Sequence, residues 1–220
     1  MNYFSHYFFD HKVGDFYFNA GLILPDFSRS ADGTRKLRLD AVNDSNEIFH
    51  SLKMGCEMHH LGDDWFHVSA FFLEGEAKIK ADLKHHAAEF SGQRIWFVSH
   101  IMVELLLDRI LIAFDEKKLL DFYADLEAVD LNAIILFLQE CGKTGFTDFE
   151  NYFHSFVKNR YLITYLDNDK LLYALNRILL RTKQEKLTQV GEQILLDRLN
   201  SWQAYLTQIK KPTQMHRLFN

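Results

Sequence analysis

Pro25 and Pro212 are the only prolines in this chain of 220 residues, and most of the sequence lies between them. A proline inside a helix costs about 3 kcal/mol, because its ring removes a backbone donor and collides with the preceding turn. A long proline-free segment therefore permits many helices in series. Apolar residues recur mostly three and four positions apart, which places them on one face of a helix. We therefore predict an all-α fold, with residues 1–220 forming a single domain.

Capping residues and glycines divide the chain into the expected helices. A short helix is predicted over 2–10 and a second one ending near Pro25, and the polar segment 28–38 is predicted to be a loop. The later helices are predicted from an Asp44–Glu47 cap to about 64, from a Ser69 cap to about 88, over 94–114, 117–128 and 131–141, over 151–164 after a capping box at Thr147–Glu150, from Asp167 or Asn168 to 181, and over about 188–209.

Composition and charge exclude several classes of protein. The formal net charge of −5 argues against a nucleic-acid partner, because such proteins carry a basic surface. The most apolar segment, 101–114, is interrupted by Glu104, Asp108 and Arg109, which argues against a membrane span. The N-terminus lacks the basic start of a signal peptide, so the cytoplasm is the expected location. Cys56 and Cys141 fit no zinc motif and are expected to be reduced, structural thiols.

Nine of the eleven histidines fall within the first 100 residues, where acidic residues also interrupt apolar helices. His59 and Asp63 are four residues apart, so on a helix they project from one face and can bind a metal ion together. A pair of this kind on a solvated helix surface is the alternative. Gly62 between them weakens the helix and indicates either close packing at this turn or a nearby helix end.

A second set of candidates, His100, Glu104 and Asp108, repeats every four residues along a helix that is otherwise apolar. A buried carboxylate needs a cation, an ion pair or a proton. Two interpretations remain open. The acids pair with arginines, for which Arg29, Arg109 and Arg177 are the candidates, or they share a metal ion with His59 and Asp63.

Three further histidine and acidic positions are considered individually. His6 lies in an aromatic segment, where a satisfied core histidine is the alternative to a metal ligand. Asp26 follows Pro25 and would otherwise be a loop residue that caps a backbone group. His67 is close enough in sequence to Asp63 to support it from outside the ligand shell. No phosphate-binding glycine loop, GxSxG, HExxH or paired CxxC motif is present.

Two short N-terminal segments, MNYFSH at residues 1–6 and GLILPDFSR at 21–29, precede the helices of His59 and Glu104. Together these segments resemble the acyl carrier protein phosphodiesterase family, in which the first reads MN-[FY]-L-[AS]-H and the second G-N-L-L-x-D-F-x-R. Residues 55–63 resemble its G-x-x-x-H-R-x-x-D helix, and 102–109 its M-W-D-H-F-L-x-R segment. Residues 161–169 are similar to an L-x-x-Y-x-x-x-D element. The resemblance spans most of the chain, and its N-terminal segments are the more specific.

The resemblance implies a helical bundle like that of the HD-type phosphohydrolases. It also implies metal-dependent hydrolysis that releases phosphopantetheine from holo acyl carrier protein, with manganese as the expected divalent ion and iron or zinc as alternatives. The residues carried over are His6, Asp26, His59, Asp63 and Glu104 as metal ligands or partners of the metal-bound water, and Arg29 as a phosphate contact; we add His100 as a ligand and His60 as a substrate contact. Asp26 or Glu104 would orient or deprotonate the water.

The chain departs from the family pattern at three positions. His60 replaces an arginine, and Leu105 replaces a histidine and cannot bind a metal. His100, one turn earlier, stands where an acidic residue is expected. It could supply the missing imidazole, or catalysis has been lost. The alternative function is therefore a non-catalytic helical binding or scaffold protein that keeps the fold. An acidic carrier protein would need a basic surface, and Arg29, Arg35, Lys36 and Arg38 could supply one unless they form an ordinary solvated loop.

Overall fold

The computed structural model describes residues 1–32, 36–43 and 45–209, and the regular structure within these ranges is entirely helical. The predicted all-α fold is confirmed. Contacts within the chain group into two units, Met1–Asp64 with Asp115–Ile163, and Trp65–Phe114 with the chain from Thr164 onward. The single domain over 1–220 stays a prediction. Among the described residues, no helix is both long enough and apolar enough to cross a bilayer.

The first unit contains seven α-helices or parts of them in the described ranges: α1 (Tyr3–Asp10), α2 (Phe16–Gly21), α3 (Leu24–Asp32), the Glu47–Asp64 part of α4 (Glu47–Val68), α7 (Glu116–Ala128), α8 (Leu131–Glu140) and α9 (Thr147–Lys158). Its core is rich in aromatic side chains. The Phe27 ring packs edge-on against Phe156 at 5.1 Å and lies 5.8 Å from the Tyr3 ring. Burial of these rings holds α1, α3 and α9 together and fixes the direction of α1.

Helices α2 and α4 cross at a contact that only glycine permits. A Cβ on Gly55 would overlap the Phe18 carbonyl oxygen and lie 2.8 Å from the Gly21 Cα atom. A Cβ on Gly21 would in turn overlap the carbonyl oxygen of Leu52. The two backbones therefore touch, and this contact brings the next turn of α4, which carries His59, against the end of α2.

A partly buried carboxylate, that of Asp125, holds α1, α2 and α7 in place. The Tyr7 hydroxyl donates to Asp125 at 2.9 Å, and the Asn19 side-chain amide donates to the same oxygen at 2.7 Å. The Asn19 side chain also closes the turn before α2, since it donates to the Lys12 carbonyl and accepts from the Lys12 amide. Burial and the contact with Asp125 raise the pKa of Tyr7, so the phenol stays protonated and can donate.

The second unit contains the end of α4 with α5 (Ala70–Lys84), α6 (Ile95–Phe114), α10 (Asn168–Arg181) and α11 (Gln189–Ile209). Gly75 on α5 allows close packing, because a Cβ there would lie 2.6 Å from Leu206 Cδ2 and 3.3 Å from Val103. The Trp202 indole donates to Asp82 at 2.8 Å, which links α11 to α5. Through Gly75, α5 therefore packs closely against both α6 and α11.

Several predicted helix ends are confirmed. Ser69 accepts from the Phe72 amide and Asp167 from the Lys170 amide, so both are the N-caps that the sequence predicts. Asn46 accepts from the amides of Ile48 and Phe49 and caps α4. Asp44, the first residue of the predicted cap, lies outside the described residues.

Other predicted ends are wrong. No side-chain cap is present at α9, which begins at Thr147 after Phe146, so the predicted capping box is not formed. The predicted helix to Pro25 is two helices, and Pro25 lies in the first turn of α3, where its missing N–H costs nothing. The predicted loop from Ser28 begins as helix up to Asp32, and its next three residues lie outside the described ranges.

Candidate metal centres

The first unit brings together three residues that could hold a metal ion, His6 from α1 with His59 and Asp63 from α4. Asp63 Oδ1 lies 3.2 Å from His6 Nε2, and Asp63 Oδ2 lies 3.4 Å from His59 Nε2. The two imidazole rings stack at 3.8 Å. These separations are close to the spacing of about 3.4 Å between donors around a tetrahedral ion with bonds of about 2.1 Å. The side chains of His6 and His59 are buried, while Asp63 is 27% exposed.

The orientation of His59 is determined by a backbone carbonyl. Its Nδ1 atom lies 2.8 Å from the Leu22 carbonyl oxygen, and a carbonyl can only accept, so Nδ1 carries a proton and donates it. Leu22 lies at the break between α2 and α3, where carbonyl groups lack helical partners. The Nε2 atom faces two carboxylates, Asp63 at 3.4 Å and Asp26 at 4.0 Å. A cation at this position, either a proton on Nε2 or a metal ion, would lie between the imidazole and the two carboxylates.

The buried imidazole of His6 is neutral, as a metal ligand would have to be. Complete burial, together with the proximity of His59, lowers its pKa from 6.5 to about 3. A neutral imidazole has a lone pair for a metal ion. A Cβ on Gly62 would lie 2.9 Å from Met1 Cε and 3.4 Å from His6 Nδ1. The close packing that the sequence suggests at Gly62 is thereby confirmed, and its reason is the approach of α1.

Asp63 is ionised in this surrounding. Burial by itself raises the pKa of this carboxyl, but the contacts with His59 and His6 and the α-ammonium group of Met1 hold it well below its usual range. The Met1 ammonium group contacts the same Oδ1 atom that faces His6. Asp63 therefore receives positive charge from one side and two imidazoles from the other, and a divalent ion would have to compete with the ammonium group.

Asp26 and Arg29 flank this group on α3. Asp26 is partly exposed and lies in the first turn of α3. The Arg29 guanidinium lies 3.5 Å from Asp26 Oδ1 and is 44% exposed, so it can reach an anion from solvent.

Partial desolvation and the neighbouring His59 lower the pKa of His60, whose ring meets the His59 ring edge-on at 5.4 Å.

The second unit contains another group of three, His67 from α4 with His100 and Glu104 from α6. We predicted one site that holds His59, Asp63, His100 and Glu104. The structure brings each pair together with a further histidine inside its own unit, and the combined site stays a prediction. His67 is a possible ligand that sequence reasoning placed only as a support for Asp63. Its spacing of four residues from Asp63 indicates only a shared face of α4, and no local pattern links His67 to Glu104 on α6.

The sequence offers arginine partners for Glu104 and Asp108, and it predicts structural thiols at Cys56 and Cys141. Arg109 donates to Asn168 at 2.6 Å, and Glu104 contacts the imidazoles of His67 and His100. Asp108 is fully buried. Cys56 and Cys141 are free and buried, as expected for structural thiols.

Two of the loop cations predicted to form a basic surface, Lys36 and Arg38, are exposed, and the Arg38 guanidinium lies over Gly142. Arg35 lies outside the described residues.

The chain matches no protein-family model, no curated protein and no solved structure. The resemblance to the acyl carrier protein phosphodiesterases therefore rests on the sequence segments themselves.

Proposed function

We propose that the chain is a metal-dependent phosphodiester hydrolase whose divalent ion is held by His6, His59 and Asp63. The observation that carries this proposal is the orientation of His59. Its Nδ1 proton is committed to the Leu22 carbonyl, and its Nε2 atom faces Asp63 and Asp26. In metal sites, a histidine ligand commonly donates its second N–H to a carbonyl or carboxylate, which fixes the tautomer and the ring.

The bound ion would polarise a phosphoryl oxygen and lower the pKa of a water molecule. Asp26 would orient that water and accept its proton. In support, its carboxylate borders His59 but lies farther from it than Asp63 does. Arg29, one helical turn from Asp26, would bind the phosphate through two N–H groups. His60, beside His59, would contact the substrate at the exposed side.

The donor set of two imidazoles and a carboxylate suits several divalent metals. Imidazole favours iron and zinc, whereas carboxylates and water favour manganese. We propose manganese because the sequence segments resemble a family that uses it, with iron or zinc as alternatives.

For the substrate, we propose holo acyl carrier protein, in the cytoplasm. This rests on the same resemblance. Exposed cations at Arg29, Lys36 and Arg38 would face the acidic carrier.

A non-catalytic binding or scaffold protein is the second candidate. Two observations favour it. The Met1 ammonium group already supplies a positive charge to Asp63, and Leu105 is a buried apolar side chain where the family has a histidine. In this case the cluster would hold α1 against α4 and bind no ion.

The deciding experiment treats the protein with a chelator, adds Mn²⁺, Fe²⁺ or Zn²⁺, and measures metal uptake together with hydrolysis of bis(p-nitrophenyl) phosphate and holo carrier protein. We expect metal-dependent hydrolysis that His59→Gln and Asp63→Asn abolish. Asp64→Asn is the matched control, because Asp64 is the next residue on α4 and is exposed. If the protein takes up no metal and Mn²⁺ does not change its melting temperature, the result supports the scaffold function.

A further inference from the structure

The imidazoles of His67 and His100 converge on a single carboxylate oxygen in the second unit. His67 Nε2 lies 3.4 Å and His100 Nε2 lies 3.2 Å from Glu104 Oε1. His100 and Glu104 are one turn apart on α6, and His67 reaches them from the last turn of α4. Both separations are close to the distance of about 3.4 Å between neighbouring ligands of a tetrahedral zinc ion.

An aromatic wall fixes the two rings. The buried Phe72 ring contacts His67 and His100 edge-on, each at 4.8 Å between ring centres. Phe66, also buried, lies 5.1 Å from Phe72 behind it. Ser69 holds this wall in place, since its hydroxyl donates to the Phe66 carbonyl and accepts from the Phe72 amide. An apolar wall on one side keeps water away and strengthens the attraction between an ion and its ligands.

The other side of the group is accessible. The side chains of His67, His100 and Glu104 are 34%, 29% and 13% exposed. An ion can therefore enter from solvent, and a coordination position is left for water. Two imidazoles and one carboxylate with an open fourth position are a ligand set found in zinc enzymes.

We propose that His67, His100 and Glu104 form a second metal site, which binds Zn²⁺ with three protein ligands and one solvent molecule. The competing arrangement is a metal-free group in which both imidazoles donate to Glu104. The two arrangements differ in a measurable way. Metal binding requires both Nε2 atoms to lose their protons, whereas the hydrogen-bonded group requires both to keep them.

The test uses the whole protein after chelation, titrated with Zn²⁺ by calorimetry, with bound zinc measured after gel filtration. To isolate the second site, the first cluster is removed with His59→Gln and Asp63→Asn. We expect this variant to retain about one zinc per chain. Adding His67→Gln and His100→Gln to it should weaken the remaining zinc binding at least 100-fold. Loss of a residue that only supports a ligand would weaken binding less than that. The exposed His85→Gln is the matched control, and it should leave binding unchanged.

Glu104→Gln provides a second route to the same answer, because it keeps the shape of the side chain and removes the charge. It should weaken zinc binding while the circular dichroism spectrum is retained. Co²⁺ provides an independent measure, since its visible absorption intensifies in tetrahedral coordination and should be lost in the same variants. The proposal is overturned if the variant with His59→Gln and Asp63→Asn binds no zinc. It is also overturned if zinc binding stays intact after His67→Gln and His100→Gln are added.

Discussion

His59 donates its Nδ1 proton to the carbonyl oxygen of Leu22 across 2.8 Å, and this bond determines what the other ring nitrogen can do. The Nε2 atom then points to Asp63 and Asp26. A single backbone carbonyl, left without a helical partner at the break between two helices, thus converts a core histidine into a candidate metal ligand.

Asp26 and Asp63 should behave differently when each is neutralised. Asp63 lies nearer the two imidazoles and is expected to bind the ion, so Asp63→Asn should release the metal. Asp26→Asn should keep the metal and lower kcat about 100-fold, a typical contribution of a general base. Metal analysis and steady-state kinetics on both variants check this. Equal loss of metal in the two variants would show that Asp26 is a ligand rather than a partner of the water.

Arg29→Gln should raise KM for an anionic phosphodiester about tenfold, because a charged hydrogen bond to phosphate is worth about 1.5 kcal/mol or more. The effect on kcat should be small, since Arg29 is partly exposed and lies at the edge of the site. Arg94→Gln is the control, as Arg94 is exposed and lies in the second unit. An unchanged KM for Arg29→Gln would remove this residue from the substrate contact.

Gly55→Ala should destabilise the first unit by about 3 kcal/mol or more, because the added methyl group meets backbone atoms of α2 that cannot move aside as a side chain would. Urea denaturation measures the change in the free energy of unfolding. Met54→Ala, at the preceding and partly exposed position, should cost no more than about 1 kcal/mol. A tolerated alanine at position 55 would show that the two helices do not touch there.

The buried His6 should make stability depend on pH in the chelated protein. Its folded pKa of about 3 is below the unfolded value of 6.5, so the unfolded chain binds a proton that the folded chain excludes. The free energy of unfolding therefore falls as the pH is lowered through 6.5 and continues to fall toward pH 3. Between pH 7 and pH 5 this group contributes a loss of about 2 kcal/mol. His6→Gln should remove that loss, whereas the exposed His50→Gln should leave it, in urea titrations at the two pH values.

Tyr7→Phe should lower the free energy of unfolding by about 1–3 kcal/mol, because Asp125 loses a donor in a partly buried position. Asn19 still donates to the same oxygen and limits the damage. Thermal and urea unfolding measure the effect, and Tyr173→Phe, at an exposed position, is the control. If the two variants cost the same, the hydrogen bond contributes nothing to stability.

Most of the helices could be predicted from the sequence because they depend on local rules. The caps at Ser69 and Asp167 and the scarcity of proline act within a few residues, so reading the chain in order is enough to find them. The wrong prediction of a capping box at Thr147 also comes from using local sequence alone. A capping box is only a possibility in the sequence, and α9 begins without using it.

The sequence by itself determined an all-helical chain and the pairing of His59 with Asp63 and of His100 with Glu104, because residues four apart on one helix must share a face. Only the tertiary structure decided that His6 stacks on His59, that Leu22 orients it, and that His67 joins His100. These three contacts join segments that are far apart in the chain, and they depend on how backbones approach each other, as at Gly21 and Gly55. No local pattern contains that information.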